Sequence, residues 1–335
     1  MTNTLHTSIC DLLDCTYPIL QSGMGGVARS ELAAAVSAAG GFGCLGMVRE
    51  SPALIEREIA AIRAVTAKPF GVNLIPSATD AQLFNDELAV CIDAGVSAVV
   101  YFWDVVPEAV EKAKVNGLRV LYQVGSIAEA QAAEAAGADA IIAQGMEAGG
   151  HVRGSVSSLV LLPQVVKAVN VPVIGAGGFA SGASLIAAFA LGAQGIQCGT
   201  AFVASTESIA HDVHKQKVVA AGSEQTVHTD AYVINWPKGS PVRVLANADT
   251  DSLGERLFGY DPAHIERVQI AEEEGRPIYL WSTDSPSRYM KGDLERLALY
   301  AGQVTGQVKR VSAAHRLVEE IVQEAKAVQE KLQCP

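Results

Sequence analysis

A chain of 335 residues that is 49% hydrophobic and only 18% charged can bury a sizeable core, which excludes a disordered protein. A formal net charge of -11 without any Lys/Arg cluster argues against nucleic acid or an anionic membrane as the main partner. The start, MTNTLHTSICDLLDC, has no basic stretch leading into an apolar one, and no apolar run is long enough to span a bilayer, so a soluble cytoplasmic protein is expected.

In chain order, β-rich apolar runs predict strands at 18–23 (PILQSG), 43–47, 69–75, 97–102, 119–124, 138–144, 172–177 and 195–202. Helical patterns such as SELAAAVSAAG, SPALIEREIAAIRAV and SIAEAQAAEAAG lie between them, several opened by Ser or Pro and closed by Gly. Strands that read as continuous apolar runs are buried on both faces, and strict β/α alternation implies a parallel sheet with right-handed crossovers. Eight such units predict an α/β fold, a (β/α)8 TIM barrel, over residues 1–224. From about residue 225 the rhythm stops, and residues 225–300 read as a smaller, mainly helical second domain near the barrel mouth. The last segment, 301–335, has apolar positions at helical spacing and is expected to complete the barrel or to form a homodimer contact.

Six cysteines are scattered without a CxxC pair, so they read as reduced thiols, with Cys44, Cys91 and Cys198 inside apolar elements. His211 and His214 stand three apart, but with no neighbouring ligand they read as surface helix residues, and no metal site is expected.

Two glycine motifs match a dinucleotide-binding pattern by letter. GFGCLG (41–46) follows a helix and enters a strand, the reverse of what that motif requires, and reads as a tight turn. GAGGFA (175–180) has the right order, yet the next strand ends without the acidic residue that would hold a ribose. Ala176, Gly177 and Gly178, with Gly199 and Thr200, instead occupy the loops after the seventh and eighth strands, where barrels commonly bind phosphate. They are either such a cradle or simply tight turns, and their position favours the cradle.

The sixth strand runs into QGMEAGGHVRG, which puts His151 on the same face. A histidine there suits general acid/base work, the alternative being a structural ring bonded to loop backbone.

Taken together, PILQSGMGG, GVNL, QGMEAGGHVRG, PVIGAGGFASG and GAQGIQCGTAFVASTES resemble the nitronate monooxygenase family, formerly the 2-nitropropane dioxygenases, over residues 15–210, with a weaker echo at YAGQVTGQV. The resemblance implies FMN at the barrel mouth, its ring along Gly23, Met24 and Gly25 with side-chain contacts from Asn73, Gln123 and Gln144. It further implies a phosphate on Gly177, Gly178, Gly199 and Thr200, a close approach of loop backbone at Gly149 and Gly150, and a base or anion-orienting role for His151. At Gln123 some relatives carry Lys, and at Gln144 Asp or Glu, so charge near the flavin is lower here. The implied reaction is oxidation of alkyl nitronates by O2 to a carbonyl compound and nitrite. The rivals are an NAD(P)H-dependent reductase of a quinone or enoyl thioester, its nucleotide gripped by Trp236, Lys238, Arg243, Arg276 or Arg288, and a flavin-free barrel that binds a phosphorylated metabolite.

Overall fold

A computed structural model describes residues 5–333. Strands β1 (Ile19–Gln21), β2 (Gly43–Gly46), β3 (Phe70–Leu74), β4 (Ala98–Tyr101), β5 (Arg119–Val124), β6 (Ala140–Gln144), β8 (Val173–Ala176) and β9 (Gly195–Cys198) pair in parallel, in the order β1-β9-β8-β6-β5-β4-β3-β2. Strand β7 (Gly150–His151) stands outside this sheet. The sheet closes on itself where Leu20 bridges Phe42 in parallel. Backbone bonds from Gln21 N to Phe42 O (3.0 Å) and from Phe42 N to Ile19 O (2.9 Å) hold that junction. The Gln21 side chain adds two more, accepting from Cys44 N and donating to Cys44 O, both at 3.0 Å. The result is a (β/α)8 barrel.

Apart from Arg119, every barrel-strand residue is buried, which is why these segments read as unbroken apolar runs. Inside the cylinder, Leu20, Phe42, Val100, Leu121, Ile142 and Ile174 pack with Ile9 and Leu13 of the helix Ser8–Leu13, which plugs one end. The outer helices begin as their sequences announce: Ser51 precedes Pro52 and accepts from Leu54 N, Asp80 accepts from Gln82 and Leu83 N, and Ser181 forms a capping box with Ser184. The helix Ala314–Gln333 lies between the helices Gly182–Ala190 and Ser30–Ala38. Its backbone at Ile321 and Ala325 sits where a side chain on Gly182 would have to go, and Glu324 accepts from Gly182 N at 2.8 Å. The last barrel strand is shorter than the predicted 195–202, because the chain turns at Gly199 into the helix Thr200–Val203.

Residues 225–300 depart from the mainly helical expectation. They form β10 (Thr226–Thr229), β11 (Val242–Leu245), β12 (Gln269–Glu273), β13 (Arg276–Tyr279) and β14 (Met290–Gly292), with one five-residue α-helix, Ala248–Ser252. The segment QIAEEEGRPIYL is a β-hairpin. Glu274 and Gly275 both take positive φ (50° and 85°) and form the two-residue loop that joins β12 to β13 as a hairpin. Strand β11 pairs antiparallel with β10 and also with β7, so this region is stitched into the loop that carries His151. No helix among the described residues is long and apolar enough to cross a membrane. Cys10, Cys15, Cys44, Cys91 and Cys198 are free and buried, while Cys334 lies outside the described residues.

Candidate functional site

The C-terminal ends of the barrel strands open into a cavity of about 1150 Å3. Every residue that sequence reasoning assigned to a flavin or to chemistry lines it: Gly23, Met24, Gly25, Asn73, Gln123, Gln144, Gly149, Gly150, His151, Ala176, Gly177, Gly178, Gly199 and Thr200. They converge because each follows a strand or ends one, and parallel strands in a barrel deliver all their C-termini to one face.

The backbone of this surface leaves open space at several glycines. A Cβ added at Gly25 or Gly150 would have nothing within 4 Å, and at Gly178 nothing nearer than 3.7 Å, so these residues leave room that a side chain would fill. Gly177 and Gly178 both stand at φ +84°, which glycine adopts without strain and which exposes consecutive backbone groups. The Thr200 hydroxyl accepts from Gly302 N at 2.9 Å and so keeps its own hydrogen to donate. Gly149 also packs closely against protein backbone. Its missing side chain makes room for Ala301 and Gly302, whose backbone would lie within 2.5 Å of an added Cβ. Similarly, Gly23 packs against Cβ of Asn73, whose amide donates to Val100 O at 2.9 Å.

His151 is pinned from two sides. It pairs with Val242 of β11, and Val152 N donates to Pro241 O at 2.9 Å. Gln144 clamps the same segment, donating from Nε2 to His151 O (2.9 Å) and accepting at Oε1 from Arg153 N (3.2 Å). One donor and one acceptor position of its amide thus hold the histidine segment. The ring of His151 stacks on Trp236 at 3.9 Å between centroids, with Trp103 edge-on at 5.9 Å. Its Nε2 is buried and has no partner among the described residues. Burial, and then the positive charge of Arg49, push its pKa down to about 3, so the ring is neutral across the physiological range.

Three further residues had escaped sequence reasoning. Gln197 points inward from β9 and donates to Gln123 Oε1 at 2.7 Å, so the two amides work as a pair. Period-2 alternation in GIQCGT was the signal available for it. Tyr300 lines the cavity and donates to Thr283 O at 2.8 Å, at the site of the weak motif echo YAGQVTG. Arg49 stands in the loop after β2, on the same face as the other loops, and that placement alone could have flagged it.

Of the residues proposed to grip a nucleotide, Trp236 and Arg276 line the cavity, whereas Lys238, Arg243 and Arg288 are absent from its wall. Arg243 is buried and donates to Met146 O at 2.9 Å, Lys238 pairs with Asp261 and Arg288 with Glu31. Arg276 is balanced by Glu273 and Asp284.

His214 is also corrected: it is fully buried, not on the surface, because Nε2 bonds Tyr300 O at 3.0 Å and so anchors the segment after residue 300. Its neighbour His211 caps a helix, accepting from Val213 N at 3.2 Å. Burial pushes the pKa of His214 down to about 4. Both His151 and His214 are therefore neutral when folded and charged when unfolded below about pH 6.5, so stability falls as pH drops from there towards 4. His228, also lowered by burial, acts in the same direction, and Glu87, held neutral up to about 8 by burial, opposes them. The expected result is a smaller loss of melting temperature between pH 7 and pH 5 in His214→Gln than in the parent; equal losses would show that His214 does not carry the effect.

The nitronate monooxygenase family profile matches residues 6–324. A probable nitronate monooxygenase of Staphylococcus saprophyticus is 32% identical, over 97% of this chain and 99% of its own. A (3aS,4S,5R,7aS)-5-hydroxy-7a-methyl-1-oxo-octahydro-1H-indene-4-carboxyl-CoA dehydrogenase of Mycobacterium tuberculosis is 31% identical over 96% of both chains. Among solved structures, FabK of Thermotoga maritima superposes with a TM-score of 0.84 at 36% identity, covering 98% of this chain and 99% of its own. Nitroalkane oxidase of Streptomyces ansochromogenes gives 0.78 at 29% identity, over 97% of this chain and 100% of its own. With the profile spanning nearly the whole chain, and its motifs gathered around one cavity, the chain belongs to the nitronate monooxygenase family of enzymes.

Proposed function

We propose that the protein oxidises alkyl nitronates with molecular oxygen, using FMN, to give a carbonyl compound and nitrite. The observation that carries this reading is a neutral, enclosed His151 with an unpartnered Nε2 beside a bed of glycine backbone. A neutral imidazole can take the proton from the carbon next to a nitro group, and once protonated it can hold the resulting anion. Arrival of that anion favours the charged ring and so raises a pKa that burial and the charge of Arg49 hold low. Gln144 and β11 fix the backbone of the histidine, while Trp236 and Trp103 keep its ring in place.

The residues present fit a flavin mononucleotide. Gly23, Met24 and Gly25, with Asn73 and the Gln123–Gln197 pair, would lie against its ring system. Gly177, Gly178, Gly199 and Thr200 would hold the phosphate. When bound, the flavin supplies the redox chemistry, accepting electrons from the nitronate and delivering them to oxygen.

A second reading, reduction of a thioester or quinone by NAD(P)H, draws on the likeness to FabK and on a cavity lining that reaches as far as Arg57, Glu58, Glu274 and Tyr289. Anaerobic titration of the coloured protein separates the two. Flavin bands that bleach with propionate 3-nitronate but not with NADH or NADPH are the expected result. Rapid bleaching by either nucleotide, with no oxygen uptake on nitronate, would transfer the protein to the reductases.

A further inference from the structure

The arginines that line the cavity are neutralised with one exception. Arg29 is paired with Glu50, Arg57 lies 3.9 Å from Glu58, and Arg276 is held by Glu273 and Asp284. Arg49 has no carboxylate within 4.0 Å among the described residues. Asp284 attracts it from further away, but the Oδ1 atom of that residue already accepts two bonds from Arg276 at 3.0 Å.

Despite lacking a counter-ion, the cation is held firmly. Its Nη1 donates to Asn235 O, and its guanidinium carbon lies 4.5 Å from the centroid of the Trp236 ring. The same ring stacks on His151 at 3.9 Å, so one indole links a fixed positive charge to the unpartnered imidazole. The backbone at Arg49 is left-handed, with φ +58°, a conformation that an arginine does not adopt for its own sake. Such outliers cluster where a side chain must be aimed. Burial disfavours the charged form of Arg49, which marks a partly desolvated cation facing the cavity. The other groups nearby offer it no negative charge: Tyr300 is a neutral phenol bonded to Thr283 O, and burial keeps Glu87 protonated up to about pH 8.

We propose that Arg49 binds the anionic nitro group of the nitronate, sharing it with His151 as a substrate-binding residue. This rests on the nitronate reading above. The planar fork of a guanidinium matches the two oxygens of a planar O–N–O group as it matches a carboxylate. It would also explain how a cavity whose histidine is neutral attracts an anion at all.

The test uses the flavin-loaded protein and sodium nitrite, the smallest anion with the same O–N–O geometry, titrated by calorimetry beside steady-state kinetics. Arg49→Met removes the charge but keeps an unbranched chain to lie on Trp236. It is expected to weaken nitrite binding about tenfold to a hundredfold, and to raise KM for the nitronate similarly, the worth of one charge-assisted contact. The flavin content is expected to stay near the parent value. Should the Met variant lose flavin, Arg49→Gln carries the same test.

Parent-like nitrite affinity in the flavin-loaded variant overturns the proposal, and so does a loss confined to NADPH binding, which would assign the cation to a nucleotide phosphate. A parent protein that binds nitrite through Arg49 yet takes up no oxygen with nitronate would sink the proposed reaction while leaving the anion site in place.

Discussion

Replacing His151 with Ala or Asn is expected to leave the flavin bound and to cut turnover of nitroalkane or nitronate about a hundredfold or more, the range for a lost acid/base or anion-stabilising group. Retention of flavin follows from the geometry, since the glycine bed belongs to the loops after β1, β8 and β9, while His151 sits on β7. The Asn variant is the cleaner of the two. It keeps a polar planar group against Trp236, whereas Ala leaves a gap in the aromatic stack. Flavin absorbance and kcat measured on the same preparation check the claim; near-normal turnover with normal flavin content would reduce His151 to a structural role. Comparing nitroalkane with preformed nitronate separates the two functions of the ring. A base is needed only for the former, so a much larger loss on the nitroalkane identifies proton abstraction, and equal losses identify anion binding.

The second large effect belongs to Gly178. Its φ of +84° is strained for any branched residue, and the space beyond it is cavity, with no protein atom nearer than 3.7 Å to an added Cβ. Gly178→Val therefore places a side chain where a ligand phosphate is proposed, and it disturbs the backbone groups meant to face that phosphate. Purification of a colourless protein is the expected outcome, with circular dichroism unchanged. Gly178→Ala, which shares the backbone strain but has less reach, is expected to retain part of its flavin. Full occupancy in the Val variant would place the phosphate elsewhere.

The barrel was legible because each of its strands is buried on both faces and bounded by Gly, Pro or Ser, so that composition alone marks where a strand begins. The cavity was legible for a related reason: once strands are assigned, the residues that follow them must share a face. What could not be read depends on partners remote in sequence. Nothing in GGHVRG announces that Gly150 and His151 pair with a strand some ninety residues later. His214 looks like a surface histidine until Tyr300 folds over it. In QIAEEEGRPIYL the acidic run suggests a helix, and only the turn chemistry at Glu274 and Gly275 reveals a hairpin. Arg49 carries no motif, and its importance arises from Trp236, which belongs to another part of the chain.

The junction between β1 and β2 differs in kind from the other seams of the barrel. Elsewhere neighbouring strands share ladders of several registered residues, but here one backbone bridge is supplemented by the side-chain amide of Gln21. The Gln21 side chain is fully buried, so its two bonds to Cys44 add to the two backbone bonds and complete the line along which the cylinder closes. Gly23, Met24 and Gly25 begin immediately beyond that line. A ligand resting on them would therefore sit directly beyond the one seam whose closure depends on a side-chain amide as well as on backbone.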